Sequence, residues 1–375
     1  MAEKLKVAVI GHTGRGNYGH GLDTVWRDVA GAQLVAVADA HAEGLVKAVK
    51  RLDVDQGFAD YRKMLETVQP DLVSIGPRWV DQHLDMVLAA TSTKSVKGIY
   101  IEKPMARTVA DADEMVKACE QNNVKMAVAH KNRYAETVDV VRGMIWDGKI
   151  GQVTELRGRG KEDRRGGGED LWVLGSHIMS LVNYLFGYPK WCSAHMYQDG
   201  KLVTKDDVYK GNEGLGPLAG NSLHALYRMP EGVNFHFDSI RECGTRQAGF
   251  SLQIHGSAGS FHIVFDRTPL VYWLPEPIRH VGVKPRAWVP VSSAGAGKPE
   301  RIAGYGAGLW QQKACHDLIS SIQDGRQPEC GVYEGRVVTE MICAVFESHR
   351  LGRPVDFPLS YRDNGLKLLA DKERA

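Results

Sequence analysis

Short runs of small and branched apolar residues alternate with segments of helical spacing through the first 129 residues, and this alternation limits the folds open to the chain. Runs rich in Val, Ile and Ala are typical of buried strands. Strands joined through helices predict a parallel sheet covered on both faces, in a doubly wound order. The predicted strands are residues 6–10, 34–38, 71–75, 98–101 and 125–129, and the predicted helices include residues 22–29, 61–68, 81–90 and 112–119.

A glycine-rich turn, G-H-T-G-R-G, directly follows the first predicted strand. Backbone N–H groups in such a turn, ahead of a helix, bind a pyrophosphate. In the frame that we prefer, Gly11 makes the tight turn, while Thr13 and Gly16 take the places of the second and third glycines. A second frame, residues 14–19, matches G-x-G-x-x-G but starts three residues after the strand. The cofactor-binding candidates in this turn are Gly11, Thr13, Gly14, Arg15 and Gly16.

An acidic residue, Asp39, ends the second predicted strand. At this distance from a glycine turn, a carboxylate accepts a hydrogen bond from the adenosine ribose of a dinucleotide. Ala40 and His41 follow, without an Arg or Lys that would meet a ribose phosphate, so NAD is predicted rather than NADP. The alternative role for Asp39 is to cap the following helix. Residues 1–129 are therefore predicted to form an α/β Rossmann domain.

The strand at residues 98–101 ends in Glu102-Lys103-Pro104. The carboxyl ends of strands in a doubly wound sheet border the ligand crevice, so we expect Lys103 to lie beside the nicotinamide. A lysine ammonium there can stabilise an alkoxide while a hydride leaves. The alternative is a solvated surface lysine.

Several stretches of the chain resemble the Gfo/Idh/MocA family of glucose-fructose oxidoreductases and inositol dehydrogenases. The resemblance implies that Lys103 is catalytic and that Pro77, Glu102 and Lys103 border the cofactor. The stretches that carry it are VAVIGHTGRG, Pro77 and His83 in GPRWVDQH, Glu102-Lys103-Pro104, Asn132-Arg133 in HKNRY, Gly175-Ser176-His177 in VLGSH, and the closing segment 316–357.

The resemblance also implies a catalytic histidine at His177, which we expect to accept the hydroxyl proton. The family pattern here is roughly D-x-G-x-H-x-x-D. The chain keeps the glycine and the histidine but has Val173 and Ser180 at the two acidic positions. Glu169 and Asp170 lie close in sequence and are candidate substitutes for the missing acid. The alternative for His177 is a core histidine at the start of a helix.

Charged residues are dense in the segment that leads to His177, and in family members this segment borders the active-site cleft. Its cations suit the hydroxyls or carboxylate of a sugar, and its tryptophan suits a sugar face. Trp79 is predicted to face the same cleft. The alternatives are a solvated, ion-paired loop and simple packing of the tryptophans. The predicted substrate-binding residues are Arg159, Lys161, Arg164, Arg165, Asp170, Trp172, His177 and Trp79.

Beyond residue 130 the pattern changes to alternating strands separated by short glycine or proline turns. Residues 130–375 are therefore predicted to form an α+β domain with a large, mostly antiparallel, open-faced sheet. The segment GSAGS predicts a hairpin, and helices are expected near residues 309–323 and 335–351. Because one face of such a sheet stays open, and family members assemble there, the resemblance implies a homodimer or a homotetramer.

Composition and spacing exclude several partners. A net charge of +2 offers no field for nucleic acid or an anionic membrane, and no apolar run reaches the length of a membrane span. The six cysteines are scattered, and the histidines lack paired spacing, so no metal is expected. The first strand begins too early for a signal peptide to precede it, so we expect a cytoplasmic protein.

Together these features predict an NAD-dependent oxidoreductase that transfers a hydride between nicotinamide and a secondary hydroxyl of a sugar, polyol or glycoside. One alternative is a redox-neutral glycosidase or epimerase that uses tightly bound NAD. The lost acids at Val173 and Ser180 support a second alternative, a nonenzymatic NAD-binding sensor.

Overall fold

The computed structural model describes residues 4–243, 250–267, 270–280 and 286–371, and the chain forms two compact units. The first unit consists of Met1–Lys131, Gly211–Gly216 and Gly308–Thr339. The second consists of Asn132–Lys210, Pro217–Ala307 and Glu340–Ala375. Two segments from the far half of the chain therefore complete the first unit.

The first unit is built on a six-stranded sheet in which every pair of neighbours is parallel. Its strands are β1 (Leu5–Ile10), β2 (Ala32–Ala38), β3 (Gln56–Phe58), β4 (Leu72–Ile75), β5 (Gly98–Ile101) and β6 (Lys125–Val128). The order β3-β2-β1-β4-β5-β6 reverses direction between β1 and β4, which is the topological switch point where such sheets bind ligands. The predicted Rossmann sheet is confirmed.

Helices connect these strands, and several begin at a polar cap. They are α1 (Ala42–Leu52), α2 (Tyr61–Val68), α3 (His83–Ser92) and α4 (Val109–Gln121). The side chain of Asp60 accepts from Arg62 N at the start of α2, and that of Thr108 accepts from Asp111 N at the start of α4. Helix α1 and strand β3 are not among the elements predicted from the sequence.

Within the described residues, the α-helix predicted over residues 22–29 is absent, and only Val25–Asp28 forms a short 3-10 helix. Four glycines explain the error, because their φ angles are positive and interrupt any right-handed helix: Gly14 (+83°), Gly16 (+92°), Gly19 (+62°) and Gly21 (+87°). Residues 11–21, here called the glycine-rich loop, therefore leave β1 in successive turns.

The second unit is built on a large mixed sheet. Strands β7 and β13 are parallel, and the other neighbouring pairs in the order β18-β17-β16-β15-β14-β7-β13-β12-β8-β19 are antiparallel. The strands are β7 (Val153–Arg159), β8 (Trp191–Gln198), β9 (Lys201–Leu202), β12 (Ser222–Arg228), β13 (Asn234–Ile240), β14 (Ser251–Gly256), β15 (Ser260–Val264), β16 (Val271–Leu274), β17 (Val289–Ser292), β18 (Gly295–Ala296) and β19 (Val355–Asp356). A separate ribbon pairs β10 (Tyr209–Lys210) with β11 (Pro217–Leu218).

Side chains alternate across this sheet, as expected for an antiparallel sheet with one covered face. Phe235, Phe237 and Phe261 are fully buried on one face, whereas His236 and Arg157 lie on the other. The predicted hairpin is the β14–β15 turn. The remaining helices are α5 (Glu136–Trp146), α6 (Gly168–Asp170), α7 (Ser176–Phe186), α8 (Ala307–Asp324), α9 (Val332–Leu351) and α10 (Gly365–Ala370).

Among the described residues, no helix has the length and apolar character needed to cross a bilayer. The same residues contain no cluster of His, Cys, Asp or Glu suited to hold a metal ion. All six cysteines are free thiols, and only that of Cys243 is exposed.

Candidate active site

The glycine-rich loop closes on itself just after β1. The backbone N–H of His12 donates to Asn17 O at 3.0 Å, and that of Asn17 donates back to His12 O at 2.9 Å. Gly16 packs so tightly against the next loop that a Cβ there would lie 2.3 Å from Arg78 N. Glycine is therefore required at position 16 both by this contact and by its positive φ.

Asp39, at the end of β2, is 1% exposed, and its carboxylate holds the loop. Oδ1 accepts from His41 N at 2.9 Å and from Thr13 N at 3.0 Å. Oδ2 accepts from Thr13 Oγ1 at 2.6 Å and from Tyr18 Oη at 2.7 Å. Burial raises the pKa of Asp39, but the hydrogen bonds from Thr13, His41 and Tyr18 outweigh it, so the pKa lies below its usual value. Asp39 is thus an ionised carboxylate that already has four donors.

A cavity of about 240 Å³ opens beside this carboxylate, where β1 and β2 end. It offers backbone, carboxylate and amide groups together with an apolar floor, which suits an adenosine. The residues lining it include Gly11, His12, Asp39, Asp60, Arg62 and Gln82. These lining residues therefore fit the adenosine end of NAD.

Arg15 and Trp79, both predicted from sequence, contact each other. The guanidinium of Arg15 lies 4.8 Å from the ring centroid of Trp79, and its Nη2 donates to Asp81 Oδ2 at 2.6 Å. This cation–π contact and ion pair close the glycine-rich loop against the segment after β4. The sequence predicts Trp79 at the substrate, and in the structure the Arg15 guanidinium lies over its ring.

Glu102 and Lys103 follow β5 and are buried, with 1% and 6% exposure. The carboxylate of Glu102 accepts from His20 N at 3.2 Å and from His20 Nδ1 at 3.0 Å. Burial raises the pKa of Glu102, but His20 and the charge of Lys103 lower it further than burial raises it. His20 is not among the residues predicted from the sequence, where its one local signal is its place at the end of a glycine-rich stretch.

Pro77 is buried at the end of β4, and its carbonyl accepts from His83 Nε2 at 2.7 Å. The other ring nitrogen of His83, Nδ1, lies 3.1 Å from Met105 O. The side chain of His83 therefore links the segments that follow β4 and β5. Burial lowers the pKa of His83 more than its two carbonyl contacts raise it.

In the second unit, His177 lies in the first turn of α7, directly after a π-helical segment at Leu171–Gly175. The residue is 8% exposed. Its ring meets Phe250 edge-on at 6.0 Å and lies 6.5 Å from Phe265. The surroundings of the ring are thus partly aromatic.

Asp170 is fully buried in this unit, and burial raises its pKa. Its carboxylate accepts from Lys161 N at 3.2 Å, from Glu162 N at 3.1 Å and from Ser239 Oγ at 2.6 Å. These bonds fasten the segment after β7, so the carboxylate that the sequence predicts at the substrate already accepts from two backbone N–H groups and one hydroxyl.

Most of the predicted substrate-binding cations already have an acidic partner. Arg159 Nε donates to Glu162 at 2.8 Å, Lys161 Nζ to Asp266 at 3.2 Å, and Arg165 binds Asp163 through two bonds. Arg164 is exposed and makes no ion pair with any described residue. Of this set, Arg164 alone is an exposed guanidinium without an acid beside it in the described parts of the chain.

Trp172 is fully buried and packs against Phe346 at 6.4 Å between ring centroids. The structure thus places the ring of Trp172, which the sequence predicts to stack on a sugar, in the core of the second unit. The π-helical segment turns this side chain into the core, which the sequence pattern did not reveal.

Two family models cover most of the chain. Residues 5–130 match an oxidoreductase family with an NAD-binding Rossmann fold, and residues 142–357 match the C-terminal alpha/beta domain of the same oxidoreductase family. Both the fold and the cofactor predicted from the sequence are confirmed.

Curated relatives include the levoglucosan dehydrogenase of Pseudarthrobacter phenanthrenivorans, which is 22% identical over 349 residues, 86% of this chain and 89% of the relative. The D-apiose dehydrogenase of Paraburkholderia graminis is 32% identical over 195 residues, 49% of this chain and 51% of the relative. A solved structure of levoglucosan dehydrogenase with NADH and L-sorbose superposes with a TM-score of 0.75 at 21% identity, covering 96% of this chain and all of that one. An oxidoreductase from Agrobacterium radiobacter, solved with NAD+, L-tartaric acid and magnesium, has a TM-score of 0.70 at 17% identity, covering 94% of this chain and 98% of that one.

Proposed function

The chain belongs to the Gfo/Idh/MocA oxidoreductase family, and from that premise we propose that it oxidises a secondary hydroxyl of a sugar, polyol or glycoside with NAD. The single observation that carries the proposal is the buried Glu102-Lys103 pair after β5, at the same edge of the sheet as the glycine-rich loop. The names of the relatives support the substrate class, since they are dehydrogenases of levoglucosan, apiose and inositol.

NAD is bound by the first unit, and its nicotinamide supplies the hydride acceptor. We propose that the glycine-rich loop, with Gly11, Thr13, Gly14, Arg15 and Gly16, holds the pyrophosphate. The cavity beside Asp39 holds the adenosine, and Pro77, Glu102 and Lys103 border the nicotinamide. The roles of Thr13 and Asp39 are partly indirect, because each stabilises the loop through the other.

The proposed reaction gives separate roles to two residues. His177 accepts the proton from the substrate hydroxyl, and Lys103 donates a hydrogen bond to the alkoxide oxygen as the carbinol hydrogen leaves as hydride. Arg164 is the cation that we assign to substrate binding in the second unit. Its exposure without an acidic partner among described residues supports this choice.

The finer organisation is also part of the proposal. We propose a homodimer or homotetramer formed through the open face of the large sheet, and a cytoplasmic location, to which the six free cysteines lend support. The boundary between a cofactor domain and a substrate domain is proposed near residue 130, where the two family matches divide.

A redox-neutral glycosidase that uses tightly bound NAD is the second candidate. One relative favours it: a protein of Akkermansia muciniphila named glycosyl hydrolase family 109 protein 1, 25% identical over 246 residues, 61% of this chain and 49% of the relative. NAD would be reduced and reoxidised within one turnover of such an enzyme, so a sugar–aglycone bond would break without net NADH.

The test combines a substrate panel with a lysine variant. Purified protein receives NAD and free sugars, inositols or aryl glycosides, while NADH absorbance and aglycone release are followed together. Net NADH identifies a dehydrogenase, and aglycone release at constant NAD identifies the glycosidase. NAD binding without either reaction would indicate a sensor.

Lys103→Met should reduce turnover by about 100-fold or more and change the Kd for NAD by less than about fivefold, because Lys103 acts on the reacting oxygen. Lys117→Met is the matched control, since Lys117 is exposed on α4. Turnover by Lys103→Met equal to that of the Lys117 variant would refute the assignment.

A further inference from the structure

His20 forms a two-point contact with Glu102. Its backbone N–H donates to Oε2 at 3.2 Å, and its ring Nδ1 lies 3.0 Å from Oε1. Because the pKa of Glu102 lies below its usual value, the carboxylate is ionised and acts only as an acceptor. Nδ1 must therefore carry the proton in this contact.

The backbone around His20 is built for this approach. A Cβ on Gly19 would lie 2.4 Å from Glu102 Oε2 and 2.6 Å from Gly76 O, so only glycine allows the loop to come so close. The carbonyl of His20 accepts from Gln311 Nε2 at 2.9 Å, and the Gln311 side chain is itself buried in α8. The position of His20 is thus fixed from both sides.

Several titratable groups interact with the charge of Glu102. Lys103 is its neighbour in the chain, and His20 is its hydrogen-bonded partner. The charge of Glu102 also acts on His83 and Tyr100, and both side chains are fully buried. Burial opposes protonation of His83 and ionisation of Tyr100, so of these four groups His20 and Lys103 are the two that can compensate the charge of the carboxylate.

We propose that His20 is a positioning residue for Lys103, because it holds the Glu102 carboxylate that orients and balances the lysine ammonium. The inference rests on the proposed function in that it names what supports the proposed catalytic lysine. Without the imidazole donor, the buried carboxylate keeps the backbone N–H of residue 20 and depends more strongly on the charge of the ammonium. The ammonium is then drawn away from the substrate oxygen and holds its proton to higher pH.

The test uses two variants of His20 and one control. His20→Leu removes the ring donor, whereas His20→Asn keeps a side-chain N–H donor close to the position of Nδ1. His316→Leu is the control, because His316 is an exposed histidine of α8 in the same unit. The modification of Lys103 by an amine-acylating reagent is followed across pH by mass spectrometry of its peptide, without substrate.

We expect the pH midpoint for modification of Lys103 to rise by about 0.5 unit or more in His20→Leu. It should stay close to that of the parent protein in His20→Asn and in the control. With an active substrate, kcat should fall about tenfold in His20→Leu, with a Kd for NAD within about threefold of the parent and substantial recovery in His20→Asn.

An unchanged or lower midpoint in His20→Leu would overturn the inference, as would an equal shift in the His316 control. A residue with a merely structural role would lower the unfolding temperature without moving this midpoint. Because the labelling needs no turnover, it reports on His20 even where Lys103→Met leaves turnover unchanged, the result that counts against the proposed function alone.

Discussion

Replacement of Tyr18 by phenylalanine removes one of the four donors that bind the Asp39 carboxylate. The Tyr18 hydroxyl donates to Asp39 Oδ2 at 2.7 Å. Its ring packs against Gly11, where a Cβ would lie 2.0 Å from it, and the guanidinium of Arg51 lies 4.5 Å from the ring centroid. Phenylalanine keeps these ring contacts, so the change isolates the hydroxyl.

The magnitude follows from the burial of both partners. A hydrogen bond to a charged group contributes about 1.5–3 kcal/mol. The Asp39 carboxylate is 1% exposed, which limits how well water from the adjoining cavity can replace the lost donor. We therefore expect Tyr18→Phe to lower the free energy of unfolding by roughly 2 kcal/mol without NAD. For a unit of this size, that corresponds to a Tm about 4–8 °C lower.

Tyr100→Phe provides the matched comparison. The hydroxyl of Tyr100 is buried without a hydrogen-bond partner among the described residues, and its ring packs edge-on against Trp26. Removing an unsatisfied hydroxyl is expected to leave stability unchanged or to increase it. Urea unfolding curves for the two variants, fitted with a common m-value, measure the contrast directly.

Tyr18→Phe also tests how Asp39 takes part in NAD binding. Asp39 has four donors in the protein, so a ribose hydroxyl must share or displace one of them. Tyr18→Phe leaves one acceptor position open, and the Kd for NAD should stay within about threefold of the parent value or become lower. The reasoning is refuted if Tyr18→Phe costs less than about 0.5 kcal/mol, or if Tyr100→Phe costs as much.

Two further predictions concern the second unit. The hydrogen bonds from Arg165 are the main cause that lowers the pKa of Asp163 to about 2, so the stability that its ionised form contributes is fully present above its usual pKa of 3.8 and is lost as pH falls towards 2. The free energy of unfolding of Asp163→Asn should therefore depend less on pH in that window, and the same pH dependence as in the parent protein would contradict this. Trp172→Ala should lower the free energy of unfolding by about 3–5 kcal/mol because it empties a fully buried site, while any folded fraction keeps its KM for the sugar; a selective rise in KM at unchanged stability would instead place Trp172 at the substrate.

Much of the fold could be read from local patterns. The strand at residues 98–101 and the helix Tyr61–Val68 have the predicted bounds, because the apolar spacing of each segment matches the period of the element that it forms. The same pattern gave the wrong element over residues 22–29, where Leu22 is buried from a turn, and Val25 and Trp26 from a short 3-10 helix rather than an α-helix. Apolar spacing reports burial, and the positive φ angles of the neighbouring glycines decided the backbone.

The membership of the first unit was beyond any local reading. Gly211–Gly216, more than a hundred residues from Ile101, packs with this unit. A Cβ on Gly214 would lie 2.5 Å from the Asp81 carboxyl, and Arg78 pairs with Glu213 at 3.5 Å. Such contacts carry no sequence period, so only the folded chain reveals them.

In the candidate site, too, some residues could be predicted from the sequence, whereas their contacts could not. Sequence alone proposed Asp39, Lys103 and the glycine turn as candidates, because each follows a strand whose end must lie at the edge of a parallel sheet. The tertiary structure alone decided that Tyr18 and Thr13 saturate Asp39, that His20 supports Glu102, and that Trp172 lies in the core. The physical reason is that a strand's end is set by residues next to it in the chain. Whether a buried polar group finds a partner depends on which distant backbone can approach it.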